Sequence, residues 1–312
     1  DVESGKVYNV KSKLVINATG VFADQIHKMD DPSALATIRP SQGVHIVLDR
    51  SFLKSDSAIM IPKTDDGRVL FAIPWYGKVV AGTTDTPLNE VSLEPKALQE
   101  EIDFILRTAG KYLTRPPLRE DVLCIFAGLR PLAANPDKPE ATKEVSRRHK
   151  ITLSRSGLLS IIGGKWTSYR RMAEETIDKA IKAGILGKKE CKTRNFSFCS
   201  NGIHKIPEHL RKYGDGAPDI VNLIENEPGM GELVHPRLPY CKAEIVWITR
   251  NEMPRTLEDM LARRTRALFL DARASAEAGP LVAGIMAEEL GYGSDWIEKQ
   301  LRNYKELIVN YI

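Results

Sequence analysis

Three groups of residues have the types and spacing to do chemistry. In Leu158-Leu159-Ser160-Ile161-Ile162-Gly163-Gly164-Lys165-Trp166-Thr167-Ser168-Tyr169, an apolar run of strand length meets two glycines and becomes a helical pattern from Thr167. A strand, a Gly-Gly turn and a helix start aim bare backbone N–H groups and the positive end of a helix dipole at one spot. Glycine admits close approach to the backbone, and Lys165 adds a full charge there. That combination stabilises an electron-rich group, although a plain connecting turn has the same glycines. Arg130, delivered by an apolar strand just before Pro131, presents a planar fork. Such a fork can hold two oxygens of a phosphomonoester, which carries roughly −1.5 to −2 charge near neutral pH. A surface ion pair is the alternative. His45 follows Gly43 on an alternating strand; it can take a proton near neutrality or serve as a structural histidine.

The elements that must carry these residues follow from the pattern. Residues 13–20 (KLVINATG) read as a strand ending in Asn17-Ala18-Thr19-Gly20, followed by a helix over 21–29 with Asp24 in its first turns. Residues 38–48 read as a strand on which His45 and Val47 face one side and Val44 and Ile46 the other. Residues 58–62, 69–75 and 78–86 form a meander turned by Asp65-Asp66-Gly67 and Tyr76-Gly77. It ends in Thr83, Thr84 and Asp85, which either orient a substrate or close a polar turn. A helix spans 94–112 with Leu98, Ile102, Ile105 and Leu106 on its apolar face, and Arg115-Pro116-Pro117 breaks it. A strand over 121–132 leads to Arg130, 135–143 is a solvated loop, and 149–155 is a strand. Beyond a polar linker at 188–202 the pattern is helical. Thr256 caps one helix, residues 272–290 form another stopped by Gly291, and Ser294 and Asp295 start the last.

Several of these segments share the wording of one family. Gly163-Gly164-Lys165-x-x-Ser168-Tyr169-Arg170-x-x-Ala173 resembles the C-terminal signature of the FAD-dependent glycerol-3-phosphate dehydrogenases. Asn17-Ala18-Thr19-Gly20, Gly43-x-His45-Ile46, Phe71-x-Ile73-Pro74-Trp75, Gly82-Thr83-Thr84-Asp85, Ala127-Gly128-Leu129-Arg130-Pro131-Leu132 and Arg263-Arg264-Thr265-Arg266 are similar to further elements of that family. The resemblance implies FAD as cofactor, with Ala18, Thr19, Gly20, Gly163, Gly164, Lys165, Trp166 and Thr167 against it. It implies sn-glycerol 3-phosphate as substrate, with Arg130, Thr84 and Lys165 in contact with it, and His45 as base beside the flavin. Many members have a basic residue at the position of Gln42, so charge at that edge is weaker here. The implied reaction yields dihydroxyacetone phosphate and passes electrons to quinone. Oxygen as acceptor, an amine-oxidising flavoprotein and a non-catalytic fragment are the alternatives.

The bulk numbers set the remaining expectations. At 312 residues the chain is long enough for two cores, and 28% charged with 42% hydrophobic residues is ordinary for a globular protein. A net charge of +4 suits a small anionic substrate or an acidic membrane surface, and is too small and scattered to argue for nucleic acid. Arg263, Arg264 and Arg266 lack interleaved aromatics, so an ion-pairing face is expected there. Cys124, Cys191, Cys199 and Cys241 have no metal-finger spacing, so no metal is expected. No apolar run is long enough to cross a bilayer, so a cytoplasmic protein touching the inner face of a membrane peripherally is expected, and homo-oligomers are allowed.

No G-x-G-x-x-G turn precedes Gly163, and the chain begins at Asp1. A C-terminal portion of a longer enzyme is therefore expected, inactive and without FAD on its own. The expected fold is α/β plus all-α. Residues 1–37 and 148–187 would form part of an FAD-binding Rossmann-like domain, and 38–147 an inserted antiparallel substrate-binding sheet. A linker at 188–205 and a helical domain at 206–312 would follow.

Overall fold

The computed structural model describes residues 1–62, 64, 67–133, 148–197 and 207–312, without the side chain of Glu208. The expected turn at Asp65-Asp66 and the loop at 135–143 lie outside the described residues. In chain order the regular elements are β1 (Val15–Asn17), α1 (Ala23–Asp30), β2 (Ile38–Asp49), β3 (Ile59–Ile61), β4 (Leu70–Trp75), β5 (Lys78–Gly82), β6 (Thr86–Pro87), α2 (Gln99–Gly110), β7 (Cys124–Ala133), β8 (Lys150–Leu153), β9 (Leu158–Ile162), α3 (Tyr169–Lys182), α4 (Ala217–Asn226), α5 (Lys242–Asn251), α6 (Ala267–Leu270), α7 (Ala272–Leu290) and α8 (Ser294–Ile308). They fall into two compact units, one of Asp1–Gln42, Asp85–Pro95 and Gly128–Phe196, the other of Gly43–Thr84, Lys96–Ala127 and Ser197–Ile312.

The first unit is built on a three-stranded sheet ordered β1-β9-β8. β1 and β9 run parallel, with Val15 opposite Leu158, Ile16 opposite Leu159 and Asn17 opposite Ser160; β8 is antiparallel to β9. Each parallel strand is followed by a helix, α1 after β1 and α3 after β9. β1 is shorter than expected because Asn17 ends it. Its carboxamide oxygen accepts from Thr19 N (3.3 Å) and Thr19 Oγ1 (2.7 Å), and its Nδ2 donates to Ala23 O (3.0 Å), an Asx turn that replaces ladder hydrogen bonds. The Asp24 carboxylate accepts from Thr37 N, Thr37 Oγ1 and Ile38 N, which ties α1 to the start of β2.

In the second unit β3, β4, β5 and β2 are successive antiparallel neighbours, and β7 pairs with β2. Tyr76 and Gly77 both have positive φ, 46° and 72°, the backbone that a tight two-residue hairpin needs, so the β4–β5 turn is as expected. β5 ends at Gly82, short of the expected residue 86, and Thr86–Pro87 pairs separately with Ser41 and Gln42 in the first unit. The alternation expected for β2 holds. Val44, Ile46 and Leu48 pack with Ile102, Ile105 and Ala109 of α2, while Val47 belongs to a second core made with α5, α6, α7 and α8. Both faces are covered, which is why the strand is apolar on either side.

The start of α2 corrects the expected helix over 94–112. The Glu101 carboxylate accepts the N–H of Leu98 at 3.0 Å, so Leu98 is the cap and lies exposed rather than on the buried face. Thr256 caps as expected: its Oγ1 accepts from Asp259 N (3.0 Å), and Asp259 Oδ2 accepts from Thr256 N (3.1 Å). The helix it opens is a π-helical turn, Asp259–Arg264, not an α-helix. Gly291, at φ 69°, stops α7. Arg263 pairs with Glu258 at 2.5 Å, and Arg264 lies 3.8 Å from the Glu252 carboxylate while also donating to its carbonyl at 2.8 and 3.0 Å, ion pairs of the kind expected of this cluster.

Candidate cofactor and substrate site

Parallel neighbours end on the same side of a sheet. The β1/β9 register therefore brings Ala18-Thr19-Gly20 and Gly163-Gly164-Lys165-Trp166-Thr167, distant in sequence, to one carboxyl edge of the first unit. Ligands of α/β sheets bind at such edges. The local backbone is shaped for it. Gly163 and Gly164 have φ of 72° and 85°, and a Cβ on Gly163 would lie 2.9 Å from the Arg148 carbonyl oxygen. Lys165 follows in extended conformation and, like Trp166 and Thr167, is exposed. Trp166 is 85% exposed and stacks on Tyr169 at 5.4 Å between centroids.

A 3-10 turn, Trp166–Ser168, leads into α3; no side chain caps either element, and neither has an acidic residue in its first turn. The N–H donors and positive dipole at this corner are thus not spent on a carboxylate of the helix itself. Farther along α3, the Arg171 guanidinium and, secondarily, His149 hold the Glu175 carboxyl below the usual carboxylate range. His149 Nε2 to Glu175 Oε2 is 2.6 Å and fastens the approach to β8 onto α3. With a cationic side chain, an aromatic pair and a glycine turn at one strand-to-helix edge, the residues present fit a planar electron-accepting ring.

Arg130 lies in the same unit. Its side chain is 30% exposed and its Nη1 is 3.5 Å from Asp85 Oδ1. The Ser41 hydroxyl donates to the same carboxylate oxygen. Asp85, expected to orient a substrate or close a polar turn, instead lies against the Arg130 guanidinium and is held by Ser41. Neither the Arg130–Asp85 contact nor the Ser41–Asp85 bond is signalled by the residues around Arg130. The register of Ser41 opposite Pro87, which brings the two segments together, is not readable from local pattern.

His45 belongs to the second unit. It sits opposite Gly82 in the β2/β5 pairing, and a Cβ on Gly82 would fall 2.4 Å from His45 Cδ2, so only glycine leaves room for the imidazole. Phe126 stacks on the same ring at 5.1 Å with an interplanar angle of 13°. Thr84, expected to touch substrate, is buried and hydrogen-bonded within the second unit. It is 3% exposed, its Oγ1 donates to Glu101 Oε1 at 2.7 Å, and it accepts the N–H of Val44 at 3.0 Å. A buried hydroxyl engaged as donor and acceptor locks the strand ends to α2. The structure thus groups the eight cofactor candidates and Arg130 in the first unit, with His45 and Thr84 in the second. Among the described residues no cluster of His, Cys, Asp and Glu could hold a metal ion.

Comparison with known proteins bears on the same residues. Over 326 residues the chain is 37% identical to a Dictyostelium discoideum protein named "Probable glycerol-3-phosphate dehydrogenase, mitochondrial", covering 96% of this chain and 51% of that protein. It is 37% identical over 331 residues to the mitochondrial glycerol-3-phosphate dehydrogenase of Bos taurus, covering 99% of this chain and 45% of the relative. The chain thus spans about half the length of these curated relatives. A solved glycerol-3-phosphate dehydrogenase from Bacillus halodurans, complexed with FAD, matches with a TM-score of 0.76 at 27% identity, covering 97% of this chain and 63% of that one. The family described as "C-terminal domain of alpha-glycerophosphate oxidase" matches residues 155–296. The family described as "FAD dependent oxidoreductase" matches residues 1–170, more than half of the chain, including both segments of the carboxyl edge up to Arg170. By that match the chain belongs to the FAD-dependent oxidoreductase family.

Proposed function

We propose that this chain is part of a flavoenzyme that oxidises sn-glycerol 3-phosphate to dihydroxyacetone phosphate. The observation that carries the reading is the shared carboxyl edge of β1 and β9, an uncapped, glycine-turned, cationic corner within a chain of this family. The substrate class is taken from the names of the curated relatives. In this reading residues 1–37 and 148–187 serve the cofactor, 38–147 the substrate, and 206–312 form a helical support.

FAD, when bound, would supply the redox chemistry, a two-electron acceptor for the hydride of substrate C2. Ala18, Thr19, Gly20 and residues 163–167 would hold it. Arg130, oriented by Asp85, grips the phosphate with its fork. His45 takes the C2 hydroxyl proton as the C2–H bond breaks, leaving the carbonyl of the product. Lys165, with the Gly163-Gly164 amides and the α3 dipole, stabilises negative charge at the reacting edge. In this reading quinone is the electron acceptor; among the described residues no helix is long and apolar enough to cross a membrane.

The test uses full-length, FAD-loaded enzyme. Arg130→Lys keeps the charge and loses the fork, and should raise KM for glycerol 3-phosphate by about 10-fold or more, the scale of a lost charged hydrogen bond. KM for unphosphorylated glycerol should stay put. Equal changes for both substrates would remove the phosphate from Arg130, and peroxide release with oxygen uptake would replace quinone as acceptor.

A further inference from the structure

The His45 ring is the first member of a row of aromatic rings that runs through the second unit. Phe126 of β7 stacks on it (5.1 Å, 13°), Phe269 of α6 meets Phe126 edge to face (5.4 Å, 78°), and Tyr311 meets Phe269 in the same way (5.7 Å, 72°). Edge-to-face and offset-stacked pairs are directional, so each ring constrains the tilt of the next. The backbone repeats the connection. Ile125 N donates to Tyr311 O at 2.9 Å, and Ala272 N donates to Leu123 O at 3.0 Å, so the chain entering β7 is fastened to the C-terminal segment just before the residue that carries the stack.

An imidazole turns about a broad, two-fold torsion, so its own rotamer sets its direction weakly. Here the Gly82 backbone lies close against the ring and Phe126 stacks on it. A base must meet its proton within hydrogen-bond reach, and an error of about 1 Å can cost up to 10²-fold in rate. The face of a phenyl ring also favours the cationic imidazolium that exists after the proton is taken.

We propose that Phe126 and Phe269 are positioning residues, an aromatic support through which the C-terminal helices fix the His45 imidazole in its working orientation. The proposal rests on the reading of His45 as base, so its test separates the two. In full-length, FAD-loaded enzyme, Phe269→Leu should lower kcat by about 5- to 10-fold with KM within about 2-fold, and Phe269→Tyr, which keeps the ring, should restore most of the loss. Phe269 is chosen because Phe126 lies in a strand whose truncation threatens folding, and melting curves check that each variant is folded. NMR of ring-labelled histidine, with the His45 signal assigned by its disappearance in His45→Asn, should show that signal shifted in Phe269→Leu and near its original place in Phe269→Tyr.

In the His45→Asn background the Phe269→Leu effect should vanish. A kcat loss that persists undiminished there, or a His45 signal unmoved by Phe269→Leu, overturns the support. If His45→Asn itself keeps full turnover, the base role fails instead. The histidine signal then still decides whether Phe269 orients the ring.

Discussion

The glycine turn allows a graded prediction. Gly163 and Gly20 both sit at positive φ, 72° and 60°, and both close a strand of the parallel pair. Alanine at either position incurs the left-handed penalty, about 1–2 kcal/mol. At Gly20 nothing lies within 4 Å of the added Cβ, so that penalty is the whole effect. At Gly163 the Cβ would stand 2.9 Å from the Arg148 carbonyl oxygen and 3.2 Å from the Ala133 Cβ, groups that cannot swing aside. Relieving such a contact by backbone movement typically adds about 1–3 kcal/mol. Gly163→Ala should therefore be less stable than Gly20→Ala by about 2 kcal/mol, a melting difference of roughly 4–8 °C for a domain of 150–250 residues. Gly164 provides an internal control, because its Cβ would meet the Met172 thioether at 2.6 Å, the end of a flexible side chain. Met172→Ala should rescue part of Gly164→Ala and none of Gly163→Ala. Thermal melts of full-length variants decide it: equal midpoints for Gly163→Ala and Gly20→Ala would refute the reasoning.

Two further outcomes follow from buried and paired groups. Thr84→Val leaves Glu101 and the Val44 N–H without their hydroxyl partner, so stability should fall by about 1–3 kcal/mol while KM for glycerol 3-phosphate is unchanged; a KM effect without a stability effect would return Thr84 to the substrate. Arg115, bonding both oxygens of Asp121 at 2.6 and 2.9 Å, followed by the Leu118 N–H, holds the Asp121 carboxyl below the usual range. A depressed carboxylate stabilises above its unfolded pKa, about 3.9, and that contribution is lost as pH falls through the lower folded value. Urea midpoints of Asp121→Asn should thus lie below wild type at pH 6 and converge with it in strong acid; parallel curves would sink the assignment.

Much of this was readable in the chain because local chemistry decided it. The Tyr76-Gly77 hairpin, the Thr256 cap and the Gly291 stop each depend on one or two residues with a fixed backbone need, and all are observed. The division of β2 between a Val44 and Ile46 face and a Val47 face followed from period-two alternation. What escaped was set by distant partners. Leu98 suits a helix by spacing, but Glu101 reaches back to its N–H and starts α2 there. Thr84 suits a substrate hydroxyl by its place in Gly82-Thr83-Thr84-Asp85, but Glu101, on another element, accepts its hydrogen bond. Asp85 and Phe126 became meaningful only once pairing registers set them beside Arg130 and His45, and no window of adjacent residues encodes a register between strands so far apart.

The interleaving of the two units has a consequence for synthesis. The chain passes between them after Gln42, Thr84, Pro95, Ala127 and Phe196, so neither is a continuous stretch that a ribosome could release and fold alone. β1 must wait for β9, whose residues emerge well over a hundred positions later, before the edge that frames the glycine turn exists. Pairings of such high sequence separation close slowly because the loop entropy is lost before the contact rewards it. The nascent protein therefore carries an unmatched apolar strand until β9 has been made, and the cofactor corner cannot be born before the glycine turn at 163–164 has left the ribosome.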